Sequence, residues 1–123
     1  MSITKLFMLE KLQMESPDIV VIERPPVVRD VETLINLSEI IGCVRGWAVL
    51  NRAEYEELRP TEWRKMVHPV GEILPKRRKE LKQWDIEKVK NIFNIIPEND
   101  DIADAILIGQ AWVNQCCRDE IFA

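Results

Sequence analysis

The chain has 123 residues, of which 46% are hydrophobic and 31% are charged. These values are typical of one globular domain and exclude a disordered chain. The net charge of −4 is not that of a typical nucleic-acid-binding domain. We find neither a signal-peptide pattern nor an uninterrupted apolar run of about 18 residues, which favours the cytoplasm over a membrane. Three cysteines without metal-ligand spacing predict reduced thiols.

The first predicted elements are a helix over residues 3–14 and a strand over residues 19–23. Four consecutive apolar residues in this strand predict burial on both faces, as in a parallel sheet covered by helices. Two prolines, at positions 25 and 26, end the strand because neither can donate to a sheet ladder. Glu23 is its last residue. The carboxyl ends of strands form the ligand crevice of open α/β sheets, so Glu23 is a candidate functional residue.

A long apolar helix is predicted over residues 31–50, with Asp30 as its N-cap. Gly42 and Gly46 lie one turn apart on this helix. Each glycine costs about 1 kcal/mol relative to alanine inside a helix, which indicates a close backbone approach. Either the sheet or a second copy of the same helix would explain such an approach.

The remaining segments predict one weak strand and three helices. The strand covers residues 54–58, and a short helix follows over residues 60–67 with Thr61 as its predicted cap. Two longer helices are predicted over residues 76–93 and from Asn99 or Asp100 to residue 117. The alternation of helices and strands predicts a layered α/β domain over residues 1–123. Two strands are fewer than an isolated sheet normally needs.

Positive charge is concentrated between residues 59 and 82, where eight bases face three acids. This segment predicts a basic face for phosphates. A solvated helix surface rich in Lys and Arg explains the same pattern equally well. The bases are Arg59, Arg64, Lys65, Lys76, Arg77, Arg78, Lys79 and Lys82.

Acids are concentrated at the start of the last predicted helix. Asp101 and Asp104 are three residues apart and therefore project from one side of a helix. Acids in a first helical turn also complement the helix dipole, and Asp100 fits that role best, as a cap. Together with Glu23, however, Asp101 and Asp104 form a set of oxygen donors for Mg²⁺ or Mn²⁺. A bound cation would relieve the repulsion between carboxylates that lie close together.

Three segments resemble successive blocks of the RuvC-type Holliday junction resolvases, which belong to the RNase H-like superfamily. They are VVIERPP at residues 20–26, LRPTEWRKMV at residues 58–67 and DIADAI at residues 101–106. The resemblance implies a mixed sheet flanked by helices, and a homodimer that cuts branched DNA with Mg²⁺. By this likeness Glu23, Asp101 and Asp104 match catalytic, metal-binding carboxylates.

The same resemblance implies a DNA-binding surface around the second block and the basic segment after it. Trp63 is the tryptophan best placed to stack on a base, although all four tryptophans are also typical core residues. The candidate DNA-binding residues are Arg24, Arg59, Thr61, Arg64, Lys65, Lys76, Arg77, Arg78 and Lys79.

The chain departs from the family at its start. The family's first catalytic Asp lies on an opening strand, in a segment like Gly-Ile-Asp-Pro-Gly, and nothing similar precedes Glu23. We therefore expect an RNase H-like, RuvC-like fold truncated at the N-terminus, helix-rich with a small parallel sheet, and a metal site short of one ligand.

Three functions follow: a metal-dependent endonuclease or a piece of one, an inactive DNA-binding or protein-interaction module, or an acidic metal-binding protein unrelated to DNA. The missing strands would leave a hydrophobic edge on the strand at residues 19–23. We therefore predict a homodimer or higher homo-oligomer, formed through that edge or through the helix at residues 31–50.

Overall fold

The computed structural model describes residues 3–24, 30–68 and 71–122. The backbone forms two compact units, Met1–Glu57 and Leu58–Ala123. The described residues form α1 (Ile3–Glu15), β1 (Ile19–Glu23), α2 (Val31–Asn51), β2 (Glu54–Leu58), α3 (Pro60–Val67), α4 (Arg78–Phe93) and α5 (Asp100–Phe122). Both predicted strands are confirmed within these residues. The proline pair at positions 25 and 26 lies outside them.

The first unit contains a two-stranded parallel sheet and two helices. β1 and β2 are hydrogen-bonded neighbours, and the Glu54 N–H donates to the Asp18 carbonyl at 2.9 Å. α1 packs against α2, where Lys5 forms an ion pair with Glu39. The helix-rich architecture with a small parallel sheet is as predicted.

Both ends of α2 have well-formed caps. The Asp30 carboxylate accepts a hydrogen bond from the Glu32 N–H at 3.3 Å and another from the Thr33 hydroxyl at 2.6 Å. These bonds, the Thr33 bond above all, lower the pKa of Asp30. Arg52 ends the helix in a left-handed conformation, and its N–H donates to the Ala48 and Val49 carbonyls. The predicted N-cap is confirmed.

Most of α2 is nevertheless exposed. Its buried residues are Val44, Trp47 and Ala48. A Cβ atom built at Gly42 or Gly46 would meet no described atom within 4 Å. The glycines therefore do not mark a close approach to the sheet, and an approach to a second copy stays a prediction. The exposed large apolar residues of α2 are Val31, Leu34, Ile35, Val49 and Leu50.

The α2 helix is long and apolar enough to be a candidate membrane span, although polar and charged residues interrupt its apolar sequence. It has 21 residues. Its most apolar stretch of 18 residues has a mean hydropathy of 1.3, and 17% of that stretch is buried. Length and composition alone are weak grounds for a membrane span. Two of its charged residues have partners within the unit: Glu39 pairs with Lys5, and the Arg45 guanidinium lies 5.3 Å from the centre of the Tyr55 ring. Such contacts are typical of a helix in a folded domain.

The second unit is built around α5, against which α3 and α4 pack. Small side chains on α5, Ala103 and Ala111, are fully buried and allow a close approach of the other helices. The Asn114 amide donates to the Met66 carbonyl of α3 at 2.9 Å. The fully buried apolar residues of this unit are Trp63, Val89, Ala103, Leu107 and Ala111.

The starts of these three helices differ from the predictions. Thr61 is not the cap of α3: Arg59 is the N-cap residue and Pro60 is the first helical residue, where a missing N–H costs nothing. α4 begins at Arg78, with Arg77 as its N-cap residue, two residues later than predicted. α5 extends to Phe122, beyond the predicted end at residue 117.

Candidate functional site

The polar residues at the acidic start of α5 make different contacts. The Asn99 side chain accepts a hydrogen bond from the Ile102 N–H at 2.9 Å and therefore caps the helix. Asp100 instead pairs with Lys82 of α4 at 2.7 Å. The Lys82 bond is the main reason that the pKa of Asp100 is lowered. The prediction of Asp100 as the cap is wrong, because α5 begins at Asp100 and the preceding residue, Asn99, accepts the hydrogen bond from the first turn.

Asp101 and Asp104 occupy the first two turns of α5. Asp101 is exposed, whereas the Asp104 side chain is 20% exposed and its Oδ1 lies 4.0 Å from Nη2 of Arg64. Their spacing of three residues puts the two carboxylates on one side of the helix, as predicted. They present oxygen donors, the ligand type that Mg²⁺ and Mn²⁺ prefer.

Glu23 belongs to the first unit, where it is the half-buried last residue of β1. Neither unit, within its described residues, gathers three His, Cys, Asp or Glu side chains into a metal-binding group. The convergence of Glu23 with Asp101 and Asp104 therefore stays a prediction.

An ion pair that the sequence analysis missed lies beneath the acidic start of α5. Asp85 of α4 is fully buried and accepts two hydrogen bonds from Arg64 of α3. Arg64 Nε donates to Oδ1 at 3.2 Å, and Nη2 donates to Oδ2 at 2.9 Å. This paired geometry satisfies both carboxylate oxygens, which burial of an ionised carboxylate requires.

The place of Asp85 in the sequence indicates that this residue is buried and needs a charged partner. Asp85 lies four residues after Leu81 and four before Val89, so it falls within the apolar stripe of α4. A charged residue inside such a stripe needs a buried partner of opposite charge. The sequence does not show which of the eight bases in the neighbouring segment supplies it.

All the predicted DNA-binding residues except Arg64 are exposed. Two donor nitrogens of Arg64 are bonded to Asp85, and its side chain is 13% exposed. The Arg59 side chain is 60% exposed and lies 3.8 Å from Glu62. The exposed members are Arg24 in the first unit and Arg59, Thr61, Lys65, Lys76, Arg77, Arg78 and Lys79 in the second.

A polar cluster ties the loop before the basic segment to α4. The Trp84 indole N–H donates to Glu72 at 2.9 Å, and the Lys88 ammonium donates to the same carboxylate at 3.2 Å. These bonds, the indole bond first, lower the pKa of Glu72. The His68 ring meets the Trp84 ring edge-on, with 6.3 Å between ring centres. The cluster restrains Glu72, four residues before the first base of the exposed basic segment.

Trp63 is a core residue in this structure. Its side chain is fully buried, and its ring lies 4.4 Å from the Arg64 guanidinium carbon. It therefore presents no face for stacking on a nucleic-acid base.

Similar proteins were found by sequence and by structure, although no protein-family model matches the chain. The crossover junction endodeoxyribonuclease RuvC of Carboxydothermus hydrogenoformans is 34% identical over 102 residues, which cover 83% of this chain and 61% of that protein. The T. thermophilus RuvC structure in complex with a Holliday junction substrate has a TM-score of 0.71 at 16% identity, and covers 93% of this chain and 65% of that one.

A second structure of Thermus thermophilus RuvC has a TM-score of 0.70 at 18% identity, over 94% of this chain and 66% of that one. The chain thus spans somewhat less than two thirds of the length of these relatives. By sequence and by architecture, this chain is similar to the RuvC-type Holliday junction resolvases, and it has their RNase H-like fold.

Proposed function

We propose that this chain is a metal-dependent endonuclease of the RuvC type, or the part of one that carries three of its carboxylates. Its substrate would be branched or duplex DNA. The observation that carries the proposal is the acidic start of α5, where exposed Asp101 and partly exposed Asp104 lie on one side of the helix. The similarity to the Carboxydothermus hydrogenoformans RuvC, over 83% of the chain, supports the nuclease class.

The donor chemistry of this region fits Mg²⁺ or Mn²⁺. Carboxylate oxygens suit hard divalent cations, and the exposure of Asp101 leaves room for water and phosphate ligands. Asp101 and Asp104 would hold the ion, with Glu23 as the third ligand. When bound, such an ion activates a water molecule and stabilises the leaving oxygen of a phosphodiester. Asn99 and the Lys82–Asp100 ion pair fix the first turn of α5 that carries Asp101.

The exposed bases of the second unit supply the proposed DNA contact. Lys76, Arg77, Arg78 and Lys79 are consecutive and exposed, and Glu72 restrains the loop before them through Trp84 and Lys88. Consecutive exposed cations favour phosphate binding with counterion release. The T. thermophilus relative is a complex with a Holliday junction substrate, and we extend that substrate class to this chain. A DNA substrate is also compatible with the predicted cytoplasmic location.

We further propose a homodimer formed through α2. Ile35, Gly42 and Val49 recur every seven residues and therefore lie on one side of the helix, and all three are exposed. A glycine at the centre of an exposed apolar face allows two helices to approach closely. The alternative contact is the edge of β1, whose five residues are all half-buried. Sedimentation equilibrium tests the dimer, and Val49→Glu should shift it to monomer if α2 is the interface.

The test of the proposed activity uses the full chain with a labelled four-way junction and Mn²⁺. Cleavage that is lost in Asp101→Asn, Asp104→Asn and Glu23→Gln supports the nuclease. Asp119→Asn is the matched control, because Asp119 is exposed near the other end of the same helix. Binding without cleavage would favour an inactive DNA-binding module. If neither binding nor cleavage occurs, the DNA proposal fails.

A further inference from the structure

The segment that leads into α4 is anchored to that helix by one acid, Glu72. One oxygen of its carboxylate accepts a hydrogen bond from the Trp84 indole N–H at 2.9 Å, and the other accepts one from the Lys88 ammonium at 3.2 Å. Trp84 and Lys88 are four residues apart and therefore lie on one side of α4. The Lys88 ammonium also lies 5.5 Å from the centre of the Trp84 ring, and this cation–π contact holds the two donors together. We refer to residues 72–77 as the strap.

The anchor point lies well along α4, away from the place where the strap joins the helix. Because an α-helix rises about 1.5 Å per residue, Trp84 lies about 9 Å beyond Arg78, the first residue of α4. The five residues between Glu72 and Arg78 therefore run back towards the start of the helix. Pro75 among them has a fixed φ, and Gly71 before the strap has a φ of 91°, a conformation that favours glycine. A short segment held at both ends has less conformational freedom than an open loop.

The strap carries two of the exposed bases of the proposed DNA contact. Lys76 and Arg77 belong to it, whereas Arg78 and Lys79 already lie on α4. The helix fixes the backbone of the last two bases, and the anchor at Glu72 restrains the first two. Because consecutive cations repel one another, an unanchored segment would spread its bases over many conformations. DNA binding would then include the loss of conformational entropy that ordering them requires.

We propose that Glu72 is a positioning residue for the DNA contact. Its two hydrogen bonds hold the strap along α4, so that Lys76 and Arg77 can contact phosphates without further ordering. An acid near a basic segment should otherwise oppose DNA binding, because it repels phosphates. The positioning role predicts the opposite sign, since loss of Glu72 then weakens DNA binding. This inference rests on the proposed function, in which the exposed bases contact DNA.

The test measures binding of the 123-residue chain to a labelled four-way junction by fluorescence anisotropy, with EDTA present to prevent cleavage. Glu72→Ala removes both hydrogen bonds, and we expect it to weaken binding about tenfold, the effect of having to order two long side chains. The slope of log affinity against log salt concentration should become shallower by about one to two, because fewer phosphate contacts form. Glu87→Ala, at an exposed acid of α4, is the charge-matched control and should not weaken binding.

A double-mutant cycle separates positioning from a structural role. Lys76→Ala/Arg77→Ala removes the bases through which Glu72 acts, so adding Glu72→Ala to this variant should weaken binding no further. Equal weakening in both backgrounds would overturn the inference, and so would unchanged or stronger binding of Glu72→Ala alone.

A second variant keeps the inference testable if Glu72→Ala does not fold by circular dichroism. Trp84→Phe then takes its place, because it removes the indole hydrogen bond without a change of charge. We expect it to weaken binding about threefold, the size of one neutral donor's contribution. The same change in the Lys76→Ala/Arg77→Ala background should have no effect, and weakening there would overturn the inference.

A measurement without DNA distinguishes failure of this inference from failure of the proposed function. If the parent binds no DNA, or if Lys76→Ala/Arg77→Ala binds it as tightly as the parent, the proposed DNA contact is wrong. The heteronuclear ¹H–¹⁵N NOE of the strap amides tests the anchor independently. Lower values in Glu72→Ala than in the parent and in Glu87→Ala support the anchor, and unchanged values overturn the inference even if the parent binds DNA.

Discussion

The two units of this chain differ in how many apolar side chains they bury. In Leu58–Ala123, three helices bury a continuous set of side chains around α5, and even a charged pair lies in the interior. In Met1–Glu57, the longest helix, α2, buries three residues and exposes five large apolar ones. Exposed large apolar side chains also occur in the second unit, among them Ile73 and Ile96. The difference therefore lies in the core, which is larger in the second unit, while the apolar face of α2 lies on a helix with few buried residues.

The largest expected effect concerns the buried ion pair of the second unit. Asp85→Ala leaves Arg64 without its main partner, and we expect a loss of about 3–5 kcal/mol in the free energy of unfolding. Urea denaturation measures this loss. The double variant Arg64→Met/Asp85→Leu removes both charges and should recover most of the stability. A small effect of Asp85→Ala would contradict the view that the pair stabilises this unit.

A matched pair of truncations compares the two apolar regions directly. Leu107→Ala in fully buried α5 creates a cavity and should cost about 2–5 kcal/mol. Val49→Ala on α2, where the residue is 78% exposed, should cost less than about 0.5 kcal/mol in a monomer. Urea denaturation at two protein concentrations sharpens the comparison. A larger cost for Val49→Ala that depends on concentration would show that a second copy covers α2.

A third comparison uses the two side-chain N-caps, one in each unit. Asn99→Ala removes the bond to the Ile102 N–H, and Asp30→Ala removes the bond to the Glu32 N–H. Each should lower the free energy of unfolding by about 1 kcal/mol. Hydrogen exchange followed by NMR assigns the loss to α5 in the first variant and to α2 in the second. Equal loss in both helices from either variant would mean that the units unfold together.

The smallest expected effect is on the acid side of the stability profile. The pKa of Glu72 is lowered from its ordinary value of 4.5, first by the Trp84 bond. A carboxyl group with a lowered folded-state pKa stabilises the protein above its unfolded-state pKa. That stabilisation is lost as the pH falls through the folded-state pKa. Thermal unfolding between about pH 6 and 3 should therefore depend less steeply on pH in Glu72→Gln. An unchanged slope would show that the Glu72 contacts do not persist in solution.

The acidic start of α5 illustrates which features sequence patterns predicted and which they did not. Spacing alone placed Asp101 and Asp104 on one side of a helix, because helical periodicity is a local property. The same reasoning chose Asp100 as the cap, although Asn99 caps the helix and Asp100 pairs with Lys82. That choice depends on α4, which lies nearby in space and not in sequence.

Local chemistry was enough for the elements themselves. A run of β-branched residues predicted β1, and the Asp30 cap and the apolar periodicity predicted the helices, because these signals depend on neighbours within a few residues. The weak strand at residues 54–58 was predicted from its placement between two helices. Contacts between distant residues were not accessible in this way. Which of eight bases pairs with Asp85, whether Trp63 is buried or exposed, and that α2 keeps an exposed apolar face all depend on how the helices pack. These features arise from burial and charge pairing across the chain, which a linear pattern does not encode.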